Sequence, residues 1–458
     1  MHLARLCLMT VGLLFVGTIQ SIDAQDSGVD VVKRTPIDHF IVLLGESASN
    51  RVQGLNAIAD NWRDDDAGLM IESARFALDR RTRSAIMELL TKHTGQDFGR
   101  DFDRWYEWIW NQDIDLHPNY GAFKKSLYRR IDPRFGEYFS DDYEATIRLD
   151  EIRWGGVRRD GIPPLKNPET IPASEALYLN DSDVVFGVSF GGKARAYPKR
   201  ILAWHEMVKD HVGGLSINGV YCTLCGSMIV YETEIDGKHY ELGTSGFLYR
   251  SNKLMYDHET KSMWSTLKGR PVVGKLVGKG IQLKPRYVVT TTWGQWKADH
   301  PDTDVLSLRT GHRRDYGEGV AYKSYFATDE LMFNVPKVDK RLKNKDEVLI
   351  VRTGGVEPIA ISSTFLSKNR IYHDKMGDST FVVVTDQAGA NRVYESGKIE
   401  FDRHADKTHV LSKDGKRWTV TEDALISDDK TESLKRLPAH RAFWFGWFAD
   451  HPDVRLVK

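Results

Sequence analysis

Two cysteines, Cys222 and Cys225, are separated by two residues and followed by Gly226. The third cysteine of the chain, Cys7, lies in an apolar N-terminal stretch. Two thiols at this spacing can bind a soft metal ion, cycle between a dithiol and a disulfide, or close a structural disulfide bridge. The residues leave all three chemistries open, and they indicate no substrate.

The runs on either side of the cysteine pair are typical of β-strands. Residues 215–221 and 228–232 are rich in apolar and β-branched side chains, and Gly226 can take the left-handed conformation of a tight turn. A strand, a Cys-x-x-Cys-Gly turn and a second strand predict a metal knuckle, in which two thiolates converge on one ion. A thioredoxin-like redox motif would instead open a helix, whose N-terminus lowers the thiol pKa. A strand after the turn therefore favours metal binding, and a helix beginning at Cys225 favours redox chemistry.

The chain contains an internal sequence repeat. The segment Trp-Lys-Ala-Asp-His-Pro-Asp at 296–302 recurs as Trp-Phe-Ala-Asp-His-Pro-Asp at 447–453, and shorter matches precede both copies in the same order. A period of about 150 residues indicates duplicated domains rather than a solenoid. Because His300 and His451 occur in both copies, we interpret them as part of a helix end or turn rather than as catalytic residues.

The second copy of the repeat lacks the thiols. With the copies aligned, Cys222 corresponds to Thr385 and Cys225 to Ala388, whereas the turn glycine persists. Both copies can therefore keep the fold without sulfur, which indicates that the thiols of the first copy serve chemistry rather than folding.

His205 is the candidate third ligand, because its counterpart in the second copy is Asn369 and the histidine is therefore lost together with the thiols. A site of Cys222, Cys225 and His205 with one open position suits copper or zinc, and copper(I) is a credible soft ion for two sulfurs in an exported protein. If the chemistry is redox, Cys222 and Cys225 are the catalytic residues. Other side chains available as ligands are Glu206, His211, His239 and His258.

The charges of the chain are balanced. Lysine and arginine total 64, as do aspartate and glutamate, so the formal net charge is zero. No global basic field is present to attract nucleic acid or an anionic membrane. The chain also lacks a Gly-rich phosphate loop, a Gly-x-Ser-x-Gly elbow and a His-Glu-x-x-His motif. We therefore expect no nucleic-acid partner and no nucleotide cofactor, and the sequence indicates no other partner.

The first residues are typical of a secretory signal. A basic start with Arg5, an apolar run over 6–19 and the small residue Ala24 before Gln25 fit that pattern. The run is short for a membrane span, which needs about 20 apolar residues, although an uncleaved N-terminal anchor is the alternative. We expect an exported protein, periplasmic or secreted, in a compartment that permits disulfides.

The predicted fold class is α+β, with a small helical N-terminal domain followed by a duplicated strand-rich domain. The pattern predicts a helix over Arg80–His93, capped by Asp79 and ended by Gly95, and paired amphipathic helices of this kind resemble HEAT-type units. The predicted organisation is a signal peptide over 1–24, a leader over 25–60, a helical HEAT-like domain over 61–150, a first copy with the cysteine pair over 151–335, and a second, degenerate copy over 336–458.

Several short motifs together resemble one known family. They are Gly155–Pro163, Ala196–Pro198, His205–Glu206 with Asp210, Tyr221–Gly226, Ser245–Tyr249, Met255–Asp257, Thr260–Trp264 and Ala442–Trp447. From about residue 152 to the C-terminus, the chain is similar to an uncharacterised family, the domain of unknown function numbered 3179. Members commonly have proline where this chain has Thr223, and the family implies no established activity.

Three functions follow from the cysteine pair. The first is binding of a soft transition metal. The second is a thiol–disulfide or metal-dependent oxidoreductase. The third is a structural or interaction protein, in which the cysteines close a small disulfide-bonded turn.

Overall fold

The N-terminal part of the protein is helical. The computed structural model describes residues 34–352 and 356–458, so the predicted signal peptide lies outside the described residues. The helices of this part are α1 Asp38–Ile41, α2 Ala48–Asp60, α3 Asp66–Phe76, α4 Arg80–Thr94, α5 Phe102–Trp110 and α6 Tyr120–Tyr128. None of the helices in the described residues is long and apolar enough to cross a lipid bilayer.

Helix α4 begins and ends where its sequence predicts. The Asp79 carboxylate accepts a hydrogen bond from the Thr82 backbone N–H at 2.9 Å, and Gly95 takes a left-handed φ of 70° after the last helical residue. Helix α2, in contrast, occupies a stretch predicted as a leader. Its buried residues are only Gly54 and Ile58, so no apolar stripe marks it in the sequence.

A buried ion pair lies in the core of the helical region. The Lys124 ammonium of α6 contacts the Glu72 carboxylate of α3 at 2.7 Å, and both side chains are fully buried. The same ammonium donates to the backbone carbonyl of Ile152 at 2.7 Å, which is the first residue of the strand region. Burial raises the pKa of Glu72 and lowers the pKa of Lys124, so each charge depends on its partner.

The remaining described chain is dominated by strands. Residues 152–326 contain β1 Ile152–Trp154, β2 Leu165–Lys166, β3 Thr170–Pro172, β4 Val184–Phe190, β5 Lys193–Pro198, α7 Lys199–His205, β6 Met207–Val212, β7 Leu215–Cys222, β8 Ser227–Glu232, β9 Glu234–Ile235, β10 Lys238–His239, β11 Leu242–Tyr249, β12 Asn252–Asp257, β13 Met263–Ser265, β14 Arg270–Val273, β15 Lys284–Arg286, β16 Val289–Thr292, α8 Trp293–Asp299, β17 Asp304–Leu306 and α9 Lys323–Phe326.

The last third continues in the same manner. Residues 347–457 contain β18 Glu347–Val351, β19 Ile359–Ser362, α10 Ser363–Lys368, β20 Ile371–Met376, β21 Ser379–Thr385, β22 Asn391–Glu395, β23 Phe401–His404, β24 His409–Ser412, β25 Arg417–Val420, β26 Ala424–Ser427, β27 Ser433–Lys435, β28 Ala439–Phe443, α11 Trp444–Asp450 and β29 Arg455–Val457. Helices and strands are largely segregated along the chain, so the fold is α+β, as predicted.

Two of the sheets share one strand order. In the first, β16, β4, β5 and β17 are neighbours, with β3 at the edge; in the second, β28, β18, β19 and β29 are neighbours. In each set the first three strands are antiparallel and the fourth runs parallel to the third. A short helix begins at a tryptophan directly after the outer strand of each set, α8 at Trp293 and α11 at Trp444. The segments with matching topology are the same segments that the sequence repeat aligns with each other.

The histidines of the repeated motif lie at the ends of these two helices. His300 follows the last residue of α8 and its ring lies 4.1 Å from the Trp296 ring, and His451 stacks on Trp447 at the same distance after α11. The prediction that both histidines belong to a helix end is confirmed.

Each of the two matching sheets is accompanied by a three-stranded antiparallel set. Strands β6, β7 and β8 follow the hairpin of the first sheet, and β20, β21 and β22 follow the hairpin of the second. Strand β7 is central in the order β15-β8-β7-β6-β2, which fixes the position of its last residue, Cys222.

A buried ion network joins the residue that follows α8, His300, to the last third of the chain. The Glu422 carboxylate accepts from Arg392 at 2.7 Å and from Arg436 at 2.9 Å, and it lies 3.5 Å from the His300 ring. Burial alone would raise the pKa of Glu422, but the two guanidinium groups hold it well below its usual range.

We expect Glu422→Gln to lower the free energy of unfolding by about 2 kcal/mol at neutral pH, because two buried guanidinium groups lose their shared negative charge. The depressed pKa of the folded state means that this stabilisation is present above the unfolded pKa of about 4.3 and is lost as the pH falls further. Chemical unfolding of both proteins between pH 3 and 8 measures the difference, which should shrink at the acidic end. A constant difference across this range would contradict the assignment.

Candidate functional site

The cysteine pair occupies the turn between β7 and β8. Cys222 is the last residue of β7, and the Cys225 N–H donates to the Cys222 carbonyl at 3.1 Å. Gly226 has a φ of 58° and packs so closely on Phe443 that an added Cβ would lie 2.8 Å from that ring. Strand β8 begins at Ser227, so the strand–turn–strand arrangement predicted for a metal knuckle is present and no helix begins at Cys225.

Both thiols are free and buried, and each lies close enough to the other to change its pKa. Burial raises the pKa of Cys222, but the Cys225 thiol and the backbone N–H of Lys253 more than offset this and lower it overall. Burial, followed by the hydrogen bond and charge of Cys222, raises the pKa of Cys225. Cys225 also donates its thiol proton to the Ser251 carbonyl at 3.3 Å. Cys222 is therefore the thiol that ionises first.

A carboxylate and an ammonium group accompany the thiols. The Lys253 ammonium lies 3.0 Å from the Glu206 carboxylate, and both residues are buried. The negative charge of Glu206 acts on both cysteines and raises the pKa of each. Glu206 ends α7 with a left-handed φ of 55°, a conformation that is unusual for a residue with a Cβ and is found disproportionately at functional sites.

His205 makes its hydrogen bonds elsewhere. Its side chain is fully buried, with Nδ1 2.9 Å from the Pro163 carbonyl and Nε2 2.6 Å from the Tyr316 hydroxyl. Burial lowers its pKa to about 4, which keeps the ring neutral near pH 7. Of the three predicted ligands, the structure brings Cys222 and Cys225 together, and both ring nitrogens of His205 have protein partners.

The other candidate ligands have contacts of their own. The His211 ring bonds to Asn167, the His239 ring bonds to Thr233, and the His258 ring stacks on Tyr256. Over residues 34–352 and 356–458, no three side chains of histidine, cysteine, aspartate or glutamate form a cluster that could hold a metal ion.

The segment between β17 and β18 covers the site. We call residues 307–346, between β17 and β18, the strap. Its tyrosines bond to the site in chain order: Tyr316 to His205, Tyr322 to the Glu206 carboxylate at 3.3 Å, and Tyr325 to the Leu224 carbonyl at 2.7 Å. Tyr325 also belongs to the buried apolar cluster that contains both cysteines, and Phe326 and Phe333 pack against this cluster. The strap therefore excludes solvent from the thiols.

The sequence did not single out the strap or Lys253 as parts of the site. The strap has no periodic apolar pattern, and its only local signal is the spacing of its tyrosines. Lys253 lies on a strand of a different sheet, where a lysine is ordinarily solvated.

The turn between β21 and β22 has ordinary polar contacts in place of sulfur. Thr385 ends β21 as Cys222 ends β7, and its hydroxyl accepts from the Asn391 side chain at 3.0 Å. Gly389 keeps a positive φ of 86°. The backbone can therefore form this kind of strand–turn–strand unit without thiols.

The chain belongs to a family defined by sequence. A family described as "Protein of unknown function (DUF3179)" matches residues 159–454, which is more than half of the chain. The resemblance stated from the sequence is therefore confirmed. No curated protein and no solved structure matches the chain.

Proposed function

We propose that this member of the DUF3179 family binds one copper(I) ion between the thiolates of Cys222 and Cys225. The observation that carries the proposal is the pair of free, buried thiols in the turn that follows β7. Soft thiolates select copper(I) among biological metal ions, and this ion accepts two-coordinate thiolate sites. Zinc, in contrast, prefers four ligands in a structural site.

Binding of the ion requires both thiols to release their protons. Cys222, whose pKa is lowered, supplies the first thiolate, and the metal displaces the proton of Cys225, whose pKa is raised. The site then holds one more negative charge than before, beside the existing ion pair of Glu206 and Lys253. Affinity for copper(I) therefore increases with pH.

Anaerobic titration tests the proposal directly. Reduced, metal-free protein competes with a chromogenic copper(I) chelator, and the expected result is one ion bound per chain. X-ray absorption of the loaded protein should report sulfur as the only first-shell neighbour. Sulfur with one nitrogen would instead bring His205 into the site, which requires its bond to Tyr316 to break.

A thiol–disulfide oxidoreductase is the second candidate. The opposite pKa shifts of Cys222 and Cys225 favour it, because they separate an attacking thiol from a resolving thiol. In that reaction the Cys222 thiolate attacks a disulfide substrate, and Cys225 then closes the Cys222–Cys225 bond. The two electrons and the two thiol protons pass to the substrate, which is released as a dithiol. Rapid reduction of a disulfide peptide by the metal-free protein would favour this function over copper binding.

We also infer that the strand-rich region arose by duplication, with copies over 151–335 and 336–458. Support comes from the shared strand order of the two sheets and from the matching positions of α8 and α11. In this interpretation the second copy has kept the backbone and lost the ligands. A helical HEAT-like domain over 61–150 remains part of the same proposal.

We propose that the protein is exported, on the basis of the apolar N-terminal run. Mass spectrometry of the mature protein should then find a chain that begins near Gln25. An intact Met1 in the membrane fraction would support the anchored alternative. Burial of the thiols beneath the strap would protect them from oxidation in such a compartment.

We expect the double variant Tyr322→Phe, Tyr325→Phe to increase thiol reactivity about tenfold, because it removes two strap hydrogen bonds worth about 0.5–1.5 kcal/mol each. The aromatic packing stays in place, so the strap opens more often without unfolding. The rate of reaction with an aromatic disulfide reagent measures the change. Tyr143→Phe, which lies outside the strap, is the matched control. An unchanged rate in the double variant would show that these bonds do not hold the strap closed.

A further inference from the structure

The strap is held by the helical region as well as by the site that it covers. The Asn334 side chain of the strap donates to the Asp103 backbone carbonyl of α5 at 2.9 Å. The Asn111 side chain, which follows the last residue of α5, donates to the Pro336 carbonyl of the strap at 2.8 Å. Two hydrogen bonds therefore join α5 to a segment that lies 231 and 225 residues further along the chain.

Arg153 of β1 connects the same two parts through its charge. Its guanidinium contacts the Asp103 carboxylate of α5 at 3.3 Å and donates to the side-chain carbonyl of Asn334. It also lies 4.6 Å from the centre of the Tyr106 ring of α5 and 5.9 Å from that of the Phe333 ring of the strap. Arg153 is 7% exposed, so these contacts form largely away from water, where charge-assisted hydrogen bonds are strong.

The part of the strap that α5 holds is also a part that covers the thiols. Phe333 precedes Asn334 and packs against the buried cluster that contains Cys222 and Cys225. The two cysteines are 2% and 0% exposed, so an ion or a reagent reaches them only after some of the surrounding protein moves. Movement of the strap at Phe333 would break the bonds that its neighbours make with the helical region.

We propose that the helical region controls access to the cysteine pair by holding the strap closed over it. The contact consists of α5 and Arg153 on one side and of Asn334 and Pro336 on the other. Because these bonds exist only when the strap is closed, the loss of any one of them shifts the equilibrium toward an open strap. This role rests on the burial of the thiols, and it applies equally whether they bind copper(I) or exchange disulfides.

The rate at which an aromatic disulfide reagent modifies the cysteine pair measures how often the strap opens, and mass spectrometry identifies the modified residues. Asn111→Ala removes the bond to Pro336 at an exposed position and should raise this rate about threefold to tenfold. Arg153→Met removes a charged donor and should raise the rate at least about tenfold.

The matched control is Asn61→Ala. Asn61 follows α2 and donates to the backbone carbonyl four residues before it, as Asn111 does within α5. The control therefore loses the same local helix bond without the bond to the strap, and it should react at the wild-type rate.

Urea unfolding and hydrogen exchange separate opening of the strap from unfolding of the whole protein. Amide exchange over residues 325–336 should accelerate in Asn111→Ala and Arg153→Met, while exchange in β21 stays unchanged. The proposal is overturned if folded Asn111→Ala reacts at the wild-type rate, if Asn61→Ala accelerates the reaction equally, or if the loss of global stability accounts for the whole acceleration. A failure to bind copper(I) would not alter these results, because the reagent reports access to the thiols alone.

Discussion

Replacement of both Cys222 and Cys225 by serine is expected to abolish copper(I) retention while the protein stays folded. Hydroxyl oxygens are hard, poorly ionised ligands, so the loss of affinity should exceed about three orders of magnitude. The free energy of unfolding should fall by about 1–3 kcal/mol, because a buried serine hydroxyl at position 222 would lack a hydrogen-bond acceptor. Copper content after dialysis against a chelator, with circular dichroism of the same sample, measures both effects.

Two matched variants sharpen this result. Cys222→Thr with Cys225→Ala introduces the residues that stand at Thr385 and Ala388 in the other turn, and it should lose copper(I) in the same way. His205→Gln preserves hydrogen-bonding capacity and should leave the affinity unchanged if two thiolates complete the site. Retention of copper by either double-cysteine variant would disprove the site. A loss of affinity in His205→Gln alone would restore this histidine as the third ligand.

The second large effect concerns the buried ion pair of the helical region. Glu72→Gln and Lys124→Met should each lower the free energy of unfolding by about 3–5 kcal/mol near neutral pH, because each leaves an opposite charge buried and unpaired. The double variant Glu72→Leu, Lys124→Met replaces both charges by apolar side chains of similar size. It should be far less destabilised than either single variant, as measured by urea unfolding.

The two single variants should respond to pH in opposite directions. In Lys124→Met the lone carboxyl has a raised pKa, so stability is retained at acidic pH and falls as the pH rises above about 4.3. In Glu72→Gln the lone ammonium has a lowered pKa, so stability is poorest at acidic and neutral pH and recovers toward pH 10. Parallel pH profiles would show that Glu72 and Lys124 do not depend on each other.

The elements that could be predicted are those specified by nearby residues. The cap at Asp79, the stop at Gly95 and the strands around Gly226 each depend on residues within a few positions. The strand-rich character beyond residue 152 also follows from composition and alternation.

The surroundings of the thiols could not be predicted because they depend on distant segments. Glu206 reaches the cysteines because the chain reverses at a positive φ that nothing in the local sequence demands. Lys253 and Tyr325 arrive from another sheet and from an aperiodic segment. The two cysteines could therefore be identified from the sequence. The ion pair of Glu206 and Lys253 and the strap over the thiols could be identified only from the tertiary structure.

The carbonyl of Ile152, which accepts the Lys124 ammonium, has a consequence for how this protein can be divided. Ile152 begins β1, which pairs with β11, and the apolar interior of the helices is continuous with residues of β11, β12 and β14. A cut at residue 150 would split one interior between two fragments and leave apolar surface exposed on both. The helices and this sheet therefore depend on one shared core, and a fragment that contained the helices alone would carry only half of it.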